Sequence, residues 1–280
     1  MATDDNGDSV EVIHIKAPTG LQFPDFAELN RRKDLIVSFV WRNLKSEYAQ
    51  TVLGLFWAIL QPLIQIIIFT VVFGRIAKIS TGNVPYLLFA SFGIIPWTYM
   101  SSAMTLSIGS LVSGQHLLTK IYFPRLIFPL TPVISRLVAF AISLFILLFV
   151  AVYYRITPTW HIVLLPLFIV YMIIIALGPG LWLSPLSVRY RDVQQAMPFV
   201  IRMLMFAAPV VYPVTAVPER FRFLYSLNPI VGAIDGFRAC ALGLNVDWML
   251  IWPGLFTAGI VLISGAMYFT KMEKIFADVV

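Results

Sequence analysis

Two sets of side chains in this sequence could do chemistry at a membrane. The first is cationic. In the stretch TKIYFPRLIFPL, at positions 119–130, Lys120 and Arg125 bracket Tyr122, Phe123 and Pro124. Arg136 and Arg202 fall inside apolar runs, where a charge is costly unless it finds water or a counter-group. A guanidinium matches a phosphate with two parallel hydrogen bonds. Arg136 and Arg202 are therefore candidates for holding a phosphate-bearing head group, and Lys120 and Arg125 can face phospholipid head groups, a partner's carboxylates or a phosphate-bearing substrate. A plainer alternative stands beside this one. Lys120 and Arg125 also read as topology signals, and Arg136 and Arg202 as arginines that snorkel to the surface. Pro129 and Pro132 favour a helix beginning there, which would put Arg136 within about one turn of the cytoplasmic surface.

The second set is aromatic and amide. Trp57, Gln61 and Gln65 follow one another at i, i+4 and share a helix face. Trp97, Tyr99, Phe199, Phe206 and Tyr212 add rings in other apolar runs. An aromatic plane suits a sugar, whose C–H face is apolar and whose rim is polar. These residues are candidates for lining a passage. The two glutamines read equally as a hydrogen-bonded seam between helices, and Trp or Tyr near a span end reads as an interfacial anchor.

Other chemistries lack their residues. No G-x-x-x-x-G-K-[ST] is present, so the chain has no P-loop to cradle nucleotide phosphates. No H-E-x-x-H occurs, and His14, His116 and His161 are far apart. The single cysteine, Cys240, rules out an internal disulfide and a cysteine-based metal cluster. No metal and no cofactor in this chain is expected. No Asp or Glu lies between Glu47 and Asp192. Ion-coupled carriers use intramembrane carboxylates, and membrane acid–base enzymes use Asp, Glu or paired His. Both classes are disfavoured.

The elements that must position these residues are membrane helices. The chain has 280 residues, 59% hydrophobic and 12% charged, about half the charged fraction of a soluble domain. A span needs about 20 mostly apolar residues, and six segments qualify: 53–73, 86–112, 130–153, 161–184, 196–216 and 248–270. An even count puts both termini on one side. Twelve cations fall on the side of the termini and six on the other, so the termini are expected to be cytoplasmic. The same clustering beside apolar runs speaks against a nucleic-acid surface. Residues 1–29 are acidic, lack the apolar core of a signal peptide and read as a poorly ordered cytoplasmic tail. Residues 30–50 carry Leu35, Ile36, Phe39, Val40, Leu44 and Tyr48 on one face and Ser38, Arg42, Lys45 and Ser46 on the other. This is an amphipathic interfacial helix, either a surface anchor or a docking face. Residues 217–247 are too polar to cross and too apolar for a free loop. Asn228-Pro229 and Gly243 punctuate them as two short half-helices. They are expected to dip into the outer leaflet as a re-entrant gate, with an outer capping loop as the alternative. The expected fold is thus an all-α integral membrane protein, with residues 30–280 as one transmembrane domain.

Several stretches stand together in a recognisable order: LGLFWAILQPL at 53–63, KIYFPR at 120–125, RYRDV at 189–193 and LNP at 227–229. Over about residues 30–275 the chain resembles the membrane-spanning permease subunit of ABC transporters that export polysaccharides, the O-antigen, capsule and teichoic-acid exporters. The resemblance implies a homodimer of half-transporters in the bacterial cytoplasmic (inner) membrane. It implies two copies of a separate nucleotide-binding subunit, which binds ATP and Mg, so that this chain is not itself an enzyme. It implies a polymer on an undecaprenyl pyrophosphate or related lipid carrier, threading a channel past aromatic side chains. Arg42, Lys45, Tyr122, Phe123, Arg189, Arg191 and Asp192 are the residues placed for contact with the ATPase. A secondary lipid-linked sugar flippase and a membrane glycosyl or acyl transferase are the rival classes.

Overall fold

The computed structural model of the chain describes residues 31–49, 51, 53–82, 84–118, 124–157 and 159–279. The expected tail at 1–29 and Lys120, Tyr122 and Phe123 lie outside the described residues. Every regular element among the described residues is helical. Short single-turn pieces apart, they are in chain order α1 (Lys33–Tyr48), α2 (Trp57–Phe69, continued by a π-helical stretch Thr70–Ile76), α3 (Tyr86–Ser113), α4 (Ile127–Tyr153), α5 (Leu165–Arg189), α6 (Arg191–Leu204), α7 (Glu219–Ser226), α8 (Pro229–Leu242) and α9 (Trp248–Val279).

Among the described residues, five helical stretches are long and apolar enough to cross a membrane: Trp57–Ile76, Tyr86–Ser113, Ile127–Tyr153, Trp160–Arg189 and Trp248–Glu273. The centre is α3, 78% buried across its most apolar window, whereas the α2 span is only 11% buried. Residues such as Ala90, Met100 and Ala103 of α3 are fully enclosed by α4, α5 and α8. Close approach of α3 and α5 depends on Gly180, where an added Cβ would run into Ser107, the small-residue contact that lets membrane helices pack tightly.

The expected fifth span, 196–216, is not a continuous helix. The α6 helix has 14 residues, about 21 Å at 1.5 Å per residue, against a hydrocarbon core of about 30 Å. It carries Arg191, Asp192, Gln194, Gln195 and Arg202. Beyond Leu204 the chain turns through 205–212, because Pro209 cannot donate to a helical ladder. The segment nevertheless tracks α3 from end to end. Gln194 lies against Gly109, and the Val210 carbonyl lies against Gly93. Tyr86 at the far end of α3 donates a hydrogen bond to the Val211 carbonyl at 2.8 Å.

The amphipathic helix forms as its pattern dictates. Leu35, Ile36 and Phe39 of α1 pack on a cluster around Leu111, Ile127, Phe128 and Phe269, with Phe39 edge-on to Phe128 at 5.8 Å. Val37 and Trp41 stay exposed. The two expected short helices are α7 and α8. Asn228 caps α8, its side chain accepting from the Ile230 N–H at 3.1 Å. Pro229 fills the first turn, and Gly243 ends the helix at φ 70°. Nearly all of α8 is buried, Cys240 included.

Candidate functional site

Four elements meet around a cavity of about 310 Å³. The end of α1 contributes Glu47, the start of α2 contributes Trp57 and Gln61, α3 contributes Tyr99 and Ser102, and α4 contributes Arg136. Helical spacing explains why these side chains converge. Trp57 and Gln61 are four apart on α2. Arg136, Ala139, Phe140 and Ser143 follow i, i+3, i+4, i+7 along one face of α4. Ser143 fixes the α2–α4 junction, its Oγ lying 3.0 Å from the Ala58 carbonyl and 2.9 Å from that of Ala139.

The charged pair is Arg136 Nη1 and Glu47 Oε1, 2.6 Å apart, with side chains 21% and 31% exposed. The expectation that the helix begins at the two prolines is corrected. The α4 helix begins at Ile127, before both of them. Pro129 sits among the first four residues, where the N–H has no intrahelical partner to lose. Arg136 is therefore nine residues in, about 14 Å along the helix. It is paired with a counter-ion from α1. Its Nε is buried with no hydrogen-bond partner among the described residues. Glu47 was not among the residues singled out from sequence. The signal was its position as the last carboxylate before the long acid-free stretch.

The other expected site residues separate into groups. Tyr99 lines the cavity with its ring, 3% exposed, while its hydroxyl donates to the Val133 carbonyl at 3.4 Å. Trp97 is a core residue at 4% exposure and does not reach the cavity. Gln65 turns away from Gln61, its Nε2 3.9 Å from the Met205 sulfur. Phe199 and Phe206 are exposed, with Val200 and Met203, along α6 and its end. Tyr212 is structural: it donates to the Phe206 carbonyl at 2.8 Å and accepts from the Tyr225 hydroxyl at 3.1 Å. Arg125 clasps the start of α4 to the end of α9. Its backbone N–H bonds Glu273 Oε1 at 3.1 Å, and its Nη1 bonds the Glu273 carbonyl at 2.9 Å. Arg202 is exposed on α6. Arg42 and Lys45 are exposed on α1, Arg42 lying over Phe39 at 4.4 Å. Arg189, Arg191 and Asp192 are exposed where α5 meets α6, Arg189 over Tyr190 at 5.3 Å.

A second polar cluster, also missed, lies at the opposite end of α3. Arg238 on α8 is 2% exposed rather than a surface topology cation. Its Nη2 donates to the Pro209 carbonyl at 2.8 Å and to that of Val210 at 3.3 Å. Its guanidinium lies 3.7 Å from the Phe89 ring centroid, and Asp235 is 3.9 Å from Nη1. Burial pulls the Arg238 pKa down to about 10, opposed by Asp235. Burial also raises Asp235, opposed by Arg238. This guanidinium takes the carbonyls of Pro209 and Val210 in the turn after α6, and so holds the turn at 205–212 against α3.

The comparisons with known proteins agree with this architecture. The family model described as ABC-2 type transporter matches residues 34–242. The chain is 28% identical over 214 residues to the O-antigen export system permease protein RfbA of Myxococcus xanthus, covering 76% of this chain and 82% of that protein. It is 25% identical over 250 residues to the protein of the same name from Klebsiella pneumoniae, covering 88% and 95%. It is 23% identical over 256 residues to the polysialic acid transport protein KpsM of Escherichia coli, covering 86% and 95%. With the model match taking in α1 to α8, the chain belongs to the ABC-2 type transporter family.

Proposed function

We propose that this chain is the permease half of an ATP-driven exporter that moves a lipid-linked polysaccharide, foremost O-antigen on an undecaprenyl pyrophosphate carrier, across the bacterial inner membrane. The observation that carries this reading is the similarity to O-antigen export permeases over 88% of the chain and 95% of the relative. The geometry supports it through an aromatic, hydroxyl-lined cavity in a span region without its own carboxylates. In this reading the chain dimerises, and two separate ATP-binding subunits supply nucleotide and Mg. They dock on the side where Arg42, Lys45, Arg189, Arg191 and Asp192 are exposed. Lys120 and Arg202 remain candidates for the carrier's pyrophosphate. The run of α6 and the turn after it along the whole of α3 makes a sixth crossing, returns both termini to the cytoplasm and leaves α7 and α8 as a re-entrant gate. The relative named for polysialic acid transport keeps a capsule exporter as a second reading.

Surface polysaccharide in a strain lacking this chain tests the function. Loss of the surface polymer, with lipid-linked polymer accumulating inside and restoration by the intact gene, is the expected result. Unchanged surface glycan with no internal accumulation would overturn it.

A further inference from the structure

The geometry points to a sugar-reading site in the cavity between α1, α2, α3 and α4, in which Glu47 and Arg136 together bind a vicinal diol of an uncharged sugar residue. This deepens the export reading and rests on it. The donor and acceptor balance of the walls selects the ligand. Thr98 Oγ1 donates to the Ile94 carbonyl at 2.8 Å and Ser102 Oγ to that of Tyr99 at 3.0 Å. Ser143 is committed to the carbonyls of Ala58 and Ala139. These hydroxyls have spent their protons on the backbone and present lone pairs to the cavity. Glu47 adds a carboxylate, which only accepts. The occupant must therefore bring hydrogen-bond donors.

It must also bring an acceptor, because Arg136 lines the same cavity and a guanidinium only donates. A sugar hydroxyl does both. One hydroxyl of a diol can donate to Glu47 while its neighbour accepts from Arg136. A phosphate or pyrophosphate brings acceptors alone, and Glu47, 2.6 Å from the guanidinium, already neutralises the cation and repels a second anion. Gln61, exposed beside Trp57, can serve as either donor or acceptor. Trp57, 39% exposed, offers an aromatic face for the apolar side of a ring. The volume of about 310 Å³ is at the small end of ligand pockets (about 300–1,000 Å³) and suits one or two sugar rings rather than a lipid tail.

The test uses the full transporter in nanodiscs. Methyl pyranosides of the gluco, galacto and manno series, their mono-deoxy analogues, inorganic pyrophosphate and glycerophosphoethanolamine are titrated, with saturation-transfer NMR as the readout. At least one pyranoside should bind saturably. Deleting either hydroxyl of its diol should weaken binding at least about tenfold, because buried polar groups are then left unpaired. Glu47→Gln and Arg136→Gln should each weaken it comparably, and the double variant should bind no worse than the weaker single one, because the pair acts as one unit. Gln61→Ala keeps the ion pair and should weaken binding about two- to tenfold, as the loss of a single hydrogen bond does. The deoxy series and Gln61→Ala decide the matter even if the charge variants do not fold. Deoxy analogues binding as well as their parents would overturn the assignment. So would pyrophosphate or glycerophosphoethanolamine binding more tightly than every sugar, or no binding of any pyranoside. Any of these with ATP-dependent export intact removes the diol assignment alone, whereas a wild-type transporter that exports no polysaccharide removes the function on which it rests.

Discussion

Replacing Arg238 with Met keeps most of the side-chain volume and removes the charge that organises the N-terminal end of α3. Two charge-assisted hydrogen bonds, to the Pro209 and Val210 carbonyls, and a desolvated cation–π contact with Phe89 are lost together. Each such bond is worth roughly 1.5–3 kcal/mol and the ring contact about 2 kcal/mol. Relief of the buried guanidinium's desolvation offsets part of that sum. Breaking a buried pair from one side, which leaves Asp235 uncompensated, typically costs about 3–5 kcal/mol, and that is the expected loss. Gly93→Ala attacks the same contact from α3, because its Cβ would overlap Arg238 Nη2 and the Val210 carbonyl. Overpacking of this kind costs about 1–3 kcal/mol. Both changes act on one contact, so the double variant should lose less than the sum of the singles. The assay is thermal denaturation of the detergent-solubilised protein, followed by loss of the monodisperse peak. Arg238→Met should melt about 6–20 °C lower. A melting temperature within about 2 °C of wild type, or strict additivity in the double variant, would refute the reasoning that this guanidinium pins the turn.

Asp235 should report on the same cluster through pH. Burial raises its folded-state pKa above the usual 3.8, so the folded state holds that proton more tightly than the unfolded chain. Its contribution favours folding below the unfolded pKa and is lost as pH rises through the folded one. The gap in melting temperature between wild type and Asp235→Asn should therefore move in favour of the variant as pH rises above the unfolded value; a gap that moves the other way counts against the assignment. Phe199→Asp with Phe206→Asp should leave the monomer folded, since both rings are exposed, and should abolish self-association in native mass spectra if this face joins two copies. Purified chain without a partner should hydrolyse no ATP, for want of a phosphate-binding loop. Hydrolysis abolished by a substitution within this chain would refute that.

Much of this fold is written at the level of apolar runs and caps. The spans at 86–112 and 248–270, the polar and apolar faces of α1, and the Asn228-Pro229 and Gly243 boundaries of α8 depend on local composition and spacing, which one sequence displays directly. The departures share a different cause. Residues 196–216 read as one apolar run, but Pro209 removes a donor and Arg238, nearly thirty residues on, takes the Pro209 and Val210 carbonyls of the turn. No local window joins those two facts. Glu47 and Arg136 are separated by the whole of α2 and α3, so their pairing is invisible until the helices pack. The sorting of the aromatics fails for the same reason. Trp97 and Tyr99 differ by two positions, yet one is core and the other edges a cavity, a distinction set by which neighbours α3 meets.

The position of Glu47 ties the cavity to α1. Three of the contacts between α1 and α4 lie along one line. Phe39 packs on Phe128, Asn43 Nδ2 reaches Thr131 Oγ1 at 3.5 Å, and Glu47 holds Arg136 at 2.6 Å. They fall at successive turns of α1 and climb α4 in the same order, so the two helices are joined along a seam rather than at a point. A force applied to the exposed face of α1, where Arg42 and Lys45 stand, would reach the cavity wall through that seam. An unpaired cation would not transmit such a displacement. Its pairing with Glu47, at the N-terminal edge of the acid-free stretch, would, because separating a partly buried pair is costly. Under the export reading, the residue that faces the sugar is thereby coupled to the helix that faces the ATP-binding partner.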